Sequence, residues 1–238
     1  MIARVISSVW QIKFTWSICG ERRRSCHRGL RLTQSVSNWS IVVSSAVSNS
    51  LATTPGQPPI ASMKQDAFAF NFSGKVGLVT GGSRGIGRAT AQLFARSGAK
   101  VVIGDIDPAG SETVDEIKRE GGKAIFVKTD VSNESDVKNL IATAVKTYGG
   151  LHCAFNNAGV LPPTVRLVEM DESTFDKTSA VDLKGVFLCM KHEIAHMLQS
   201  GGGAIVNSAS IAGLIAEPGI SAYVAAKHDR DDRRICGR

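Results

Sequence analysis

Residues 75–97 read KVGLVTGGSRGIGRATAQLFARS, and this stretch decides the fold. Val76–Thr80 is a short, nearly continuous apolar run, the pattern of a strand covered on both faces. A glycine-rich turn follows, Gly81-Gly82-Ser83-Arg84-Gly85-Ile86-Gly87. Beyond it Ala89, Ala91, Leu93, Phe94 and Ala95 recur at helical spacing. Glycines let such a turn be tight and let the backbone approach a ligand closely. The helix N-terminus then offers free N–H groups and positive dipole character to an anion, above all a pyrophosphate. A glycine string alone is weak evidence, but its position between a strand and a helix is the context that gives it meaning.

Outward from this unit the same alternation continues. Strands are predicted at Val76–Thr80, Val101–Asp105, Ala124–Lys128, Cys153–Asn156 and Ala204–Asn207, and helices at about 85–97, 108–120, 133–148, 173–199 and from about 221. Asp107-Pro108 reads as an N-cap followed by proline in the first helical turn, and Gly121-Gly122 as that helix's stop. The result is an α/β protein with a Rossmann-type doubly wound parallel sheet. Asp105 ends the second strand, where an acid accepts hydrogen bonds from adenosine ribose hydroxyls and repels a 2′-phosphate. NAD is therefore the expected cofactor. Arg84, in the turn, is able to pair with a 2′-phosphate and keeps NADP open.

Composition narrows the partners. Residues 1–65 hold eight Lys/Arg and one acid, which is the whole net charge of +7; the remaining 20 basic and 20 acidic residues cancel. The folded part thus has no bulk electrostatic attraction to nucleic acid. Five scattered cysteines, without zinc-type spacing, suit a reducing compartment, and no run approaches the roughly 18 apolar residues of a membrane span. Residues 1–62 are rich in Ser and Arg and nearly free of acids, and are expected to form a disordered or transit-like leader. Two readings of it stand: an organelle transit peptide, which would send the protein to mitochondria, or sequence upstream of a start at Met63, which would leave it cytoplasmic.

Five motifs then occur in order. TGGSRGIG at 80–87 is followed by Asp130-Val131, by Asn156-Asn157-Ala158-Gly159, by IVNSAS at 205–210, and by Tyr223-Val224-Ala225-Ala226-Lys227. Together they resemble the short-chain dehydrogenase/reductase family over residues 72–227. A Tyr and a Lys four apart share one helix face, and a neighbouring ammonium favours the phenolate, fitting the tyrosine for general acid/base work. The resemblance implies a hydride transfer between a nicotinamide and an alcohol or ketone, with Tyr223 as acid/base, Lys227 also holding the nicotinamide ribose, and Ser210 bonding the substrate oxygen. It further implies that Gly81, Ser83, Arg84, Gly85, Ile86, Gly87, Asp105, Asp130, Val131, Asn157, Ala158, Gly159, Tyr223 and Lys227 form the cofactor site, with no metal.

The sequence departs from the family pattern twice. The segment AVDLKGVF at 180–187 has Asp182 where the family has a catalytic asparagine. A carboxylate accepts hydrogen bonds but cannot donate them as an amide does, and its charge near Lys227 is expected to slow the chemistry. After Lys227 the chain reads HDRDDRRICGR, in which seven of eleven residues are Asp or Arg. Such a tail cannot supply a buried helix face, so residues 63–227 are expected to form a domain lacking its last strands, with 228–238 as an aberrant tail. The family's homo-oligomer is then in doubt. The competing reading is a catalytically inert dinucleotide-binding fragment.

Overall fold

The structure, a computed structural model, describes residues 70–228. The predicted leader at 1–62 and the tail beyond His228 lie outside the described residues. Five strands form one parallel sheet: β1 (Val76–Thr80), β2 (Lys100–Asp105), β3 (Lys123–Lys128), β4 (Cys153–Asn156) and β5 (Ala204–Asn207), in the order β3-β2-β1-β4-β5. Between them run α1 (Gly85–Arg96), α2 (Gly110–Arg119), α3 (Glu134–Tyr148), α4 (Glu172–Ser179) and α5 (Gly185–Gln199), with α6 (Ser221–His228) after β5. Among these described helices none is long and apolar enough to cross a membrane.

Side chains alternate faces along each strand, so the sheet carries a core on either side. Val76, Leu78 and Val102 pack on one face with Val137, Leu140, Ile141 and Ala144 of α3 and Leu188, Cys189 and Met197 of α5. Val79, Val101, Ile103 and Phe155 pack on the other with Ala91 of α1 and Val114 and Ile117 of α2. β1 is buried along its whole length, as its unbroken apolar run requires. The strand order reverses at β1, with β2 on one side and β4 on the other. In open parallel sheets such a switch point leaves a crevice at the strands' carboxyl ends, and ligands bind there.

Local signals explain several boundaries. The Asn133 side chain accepts the Ser135 N–H and starts α3, and Gly149, at φ 87°, ends it in the left-handed region that favours glycine. Two expectations need correction. Asp107 does not cap the regular helix α2, which begins at Gly110; its carboxylate accepts the Ala109 N–H instead, holding a short turn ahead of the helix. The single helix predicted over 173–199 is interrupted. Between α4 and α5 the residues Ala180–Lys184 form a π turn, which keeps the helical direction but inserts a wider ring of backbone hydrogen bonds.

Candidate active site

The glycine-rich turn leaves β1 at the switch point. Asp105 Oδ2 accepts the Ser83 N–H at 2.9 Å, Asp105 Oδ1 accepts the Asp107 N–H at 3.0 Å, and the buried Ser83 hydroxyl donates to the Asp107 carbonyl. Asp105 therefore ties the turn to the end of β2 before any ligand arrives. Asn157 closes it from the other side: its Nδ2 donates to the carbonyls of Thr80 and Gly81, and its own N–H reaches Thr80 Oγ1 at 3.0 Å. Gly81 has φ 68°, and a Cβ there would lie 2.9 Å from Ala158 Cα. At Gly87 a Cβ would overlap the Gly81 carbonyl oxygen. These close approaches of backbone to backbone explain why the two positions are glycine.

A second group of side chains gathers where the π turn, α6 and the end of β5 meet. Asp182, in the π turn, is fully buried; its Oδ2 accepts the Val160 N–H at 2.9 Å, and its Oδ1 lies 2.9 Å from Lys227 Nζ. The Lys227 ammonium also stands 5.1 Å from the centre of the Tyr223 ring, one helical turn away. Ser210 follows β5, is buried, and accepts the Ala212 N–H on its hydroxyl at 3.2 Å. The short turn after it rests on α6: Ala212 packs with Tyr223, and a Cβ on Gly213 would come within 2.6 Å of the Lys227 carbonyl oxygen. The segment 160–170 is drawn to the same region by a hydrogen bond from Val165 N–H to the Gly219 carbonyl. A Cβ on Gly159 would meet Asp182 Oδ1 at 2.7 Å, which places the end of the Asn157–Gly159 segment against the buried ion pair.

The family model described as short chain dehydrogenase matches residues 75–230. The chain belongs to that family. It is 46% identical over 158 residues to a cyclohexanol dehydrogenase of Acinetobacter sp. (strain SE19), and 42% identical over 159 residues to a 2,5-dichloro-2,5-cyclohexadiene-1,4-diol dehydrogenase of Sphingobium indicum. Both matches cover 66% of this chain and 63% of the relative, so the chain spans less than two thirds of their length. Among solved structures, levodione reductase superposes with a TM-score of 0.64 at 33% identity, covering 66% of this chain and 62% of that one. A short chain dehydrogenase/reductase from Burkholderia phymatum in complex with NAD gives 0.64 at 37% identity, covering 67% and 57%.

For a short chain dehydrogenase the dinucleotide is the group to be accommodated, and the turn fits it. The first turn of α1 has no capping side chain and no acid, so among the described residues no side chain caps its N–H groups ahead of an anion. Gly85 has φ 52° and nothing within 4 Å of where its Cβ would be, which leaves a shallow opening over those donors. Ile86 is partly exposed beside them. Arg84 is mostly exposed, but its guanidinium is paired with the Asp107 carboxylate rather than extended toward solvent alone. Two residues stand less openly than the motif reading suggested. Val131 is buried in the core, where it supports Gly185 at the start of α5, and the Asp130 carboxylate accepts both the N–H and the hydroxyl of Ser132.

One functional candidate escaped the sequence reading altogether. Glu193 of α5 is fully buried and accepts from the Asn156 amide at 2.9 Å. Its signal was present: Val186, Cys189, Glu193 and Met197 follow at helical spacing on the buried stripe of α5. An acid on such a stripe requires a partner in the core.

Proposed function

We propose that this chain is an oxidoreductase that moves a hydride between NAD(P) and the carbinol carbon of an alcohol or ketone, with NAD preferred. The observation that carries the reading is the meeting of Tyr223, Lys227 and the Ser210 turn at the carboxyl ends of β4 and β5, beside the dinucleotide turn. When bound, the nicotinamide supplies or accepts the hydride. The chain's own residues then manage the oxygen and its proton. In the oxidising direction Tyr223, as phenolate, takes the proton from the alcohol oxygen, and in the reducing direction its hydroxyl returns that proton to the carbonyl oxygen. The Lys227 ammonium favours the phenolate through its charge. The Ser210 hydroxyl, buried and fixed at its turn, donates to the substrate oxygen as charge develops there. Asp182 anchors Lys227 by the buried ion pair.

The cofactor preference rests on the acids at the end of β2. Asp105 retains lone pairs for ribose hydroxyls after accepting two N–H groups, and Asp107 compensates the Arg84 charge that a 2′-phosphate would need. For the substrate, we infer an apolar carbocyclic alcohol. Leu161, Leu167, Val168, Leu214 and Ile215 are exposed on the two segments joined by the Val165–Gly219 hydrogen bond, and the one cation there, Arg166, is paired with Glu169. Cyclohexanol with NAD is the direct test. Turnover that disappears in Tyr223→Phe, with NADH binding retained, supports the reading. NADH binding without turnover of cyclohexanol or any other alcohol would instead make this chain a dinucleotide-binding protein alone.

A further inference from the structure

The end of β4 is held by a buried polar network that the dinucleotide turn and the Ser–Tyr–Lys group do not require. Asn156, its last residue, is 1% exposed. Both hydrogens of its amide are used: Nδ2 donates to Glu193 Oε2 at 2.9 Å and to Asn207 Oδ1 at 3.0 Å. Asn207 ends β5 directly opposite Asn156, and Ser210 comes three residues later. Asn156 itself leads straight into Asn157, Ala158 and Gly159. One amide therefore joins the two strand ends that carry the dinucleotide turn's partner and the candidate substrate-binding serine.

Glu193 determines which way that amide faces. It reaches Asn156 from the middle of α5 with no solvent exposure, and its Oε1 has no hydrogen-bond partner among the described residues. A helix needing only to fill this space would carry an apolar residue, as it does with Cys189 and Met197 one turn to either side. Val160, at the far end of the same segment, is held by Asp182 from the π turn that precedes α5. Asn157–Gly159 is thus gripped at both ends by carboxyl groups of one continuous helical stretch. We propose that Glu193 is a positioning residue: by accepting from Asn156 it fixes the amide that joins β4 to β5, and so sets where Asn157 and Ser210 stand.

The surrounding charges leave this contact to the two side chains. On α3, Glu134 pairs at the surface with Lys138 of its own helix and with Lys191 and His192 of α5. His196, one turn beyond, is half-buried. β4 and β5 present only the neutral amides of Asn156 and Asn207. Burial pushes the Glu193 carboxyl up to about 7, opposed only by the Asn156 hydrogen bond.

The functional consequence rests on the oxidoreductase reading; the contact does not. The test uses the full chain, following the Asn156 side-chain amide by NMR from pH 5 to 9 together with NADH titration. In the wild type those resonances should shift with a midpoint near 7, and in Glu193→Gln they should stay fixed while NADH affinity remains within about two-fold, because the amide oxygen of Gln still accepts. Glu193→Met, of similar length but without an acceptor, should weaken NADH binding by about ten-fold and speed exchange of the Asn156 amide by at least that factor. A wild-type Asn156 side-chain amide that exchanges as fast as an exposed one overturns the proposal, and this reading stands even if the Met variant fails to fold. A Met variant that binds NADH like the wild type overturns it as well. A wild-type chain that fails to bind NADH while its Asn156 amide titrates rejects the oxidoreductase reading and upholds the Glu193 contact.

Discussion

Lys227 Nζ and Asp182 Oδ1 lie 2.9 Å apart, with only 5% and 0% of the two side chains exposed. In this pair the carboxylate offsets much of the positive field that Lys227 would otherwise impose on Tyr223. Asp182→Asn keeps an acceptor for the Val160 N–H and for Lys227 but removes the charge. The acid limb of the pH profile for alcohol oxidation should then move toward lower pH by about one unit, and turnover at neutral pH should rise. An unchanged profile would show that the carboxylate does not act on the phenol.

The glycines of the turn should separate into two classes. At Gly87 a Cβ would meet the backbone carbonyl of Gly81, which cannot yield without opening the turn. Gly87→Ala should therefore lower the melting temperature and abolish NADH binding together. Gly85 has a left-handed φ but open space around it, so Gly85→Ala should cost only about 1–2 kcal/mol of backbone strain. Its added methyl faces the opening meant for the pyrophosphate, and the NADH dissociation constant should rise by more than the loss of stability accounts for. Calorimetry and fluorescence titration of both variants check the distinction.

The strands were legible because they run as continuous apolar sequence, most fully in β1 and β4, which are buried along their whole length, while β5 is half-buried. Val76–Thr80, Cys153–Asn156 and Ala204–Asn207 lie where the pattern places them. β2 and β3 each begin one residue early, at Lys100 and Lys123, because the ladder pairs Val76, Lys100 and Lys123 through backbone groups that ignore side-chain polarity. The π turn was not legible. Helical spacing runs through residues 173–199 without a proline or a glycine pair, and the interruption occurs where Gly185 packs on Val131 and Asp182 reaches Val160 and Lys227. Those contacts are long-range, and no local propensity records them. The same holds for Glu193, whose partner Asn156 is 37 residues away in the chain.

Cofactor choice should turn on Asp107 as much as on Asp105. The Arg84 guanidinium is already paired with Asp107, so a 2′-phosphate has to compete with a carboxylate for it. Asp107→Asn leaves the Oδ1 that accepts the Ala109 N–H and removes the competing charge. Affinity for NADPH should increase by about ten-fold, a change of about 1.4 kcal/mol, with NADH affinity nearly unaltered. If NADPH binding does not improve, Arg84 does not face the adenosine ribose, and Asp105 alone sets the preference.

Stability should depend on pH in a direction opposite to that of most buried carboxylates in ion pairs. The Glu193 carboxyl is raised from 4.5 to about 7 by burial, so the folded chain holds a proton that the unfolded chain releases. Below about pH 4.5 both states are protonated and the contribution of Glu193 is fully present. As the pH rises the unfolded state ionises first, and stability falls until the folded carboxyl ionises near 7; above that it levels off. The loss over this window is on the order of 3 kcal/mol. Glu193→Gln cannot ionise and should remove the slope. Denaturant melts at pH 5 and pH 8 should show the wild type losing ground to the variant at the higher value. Equal losses in both proteins would mean that Glu193 is ionised in the folded state, with a positive charge close enough to hold it so.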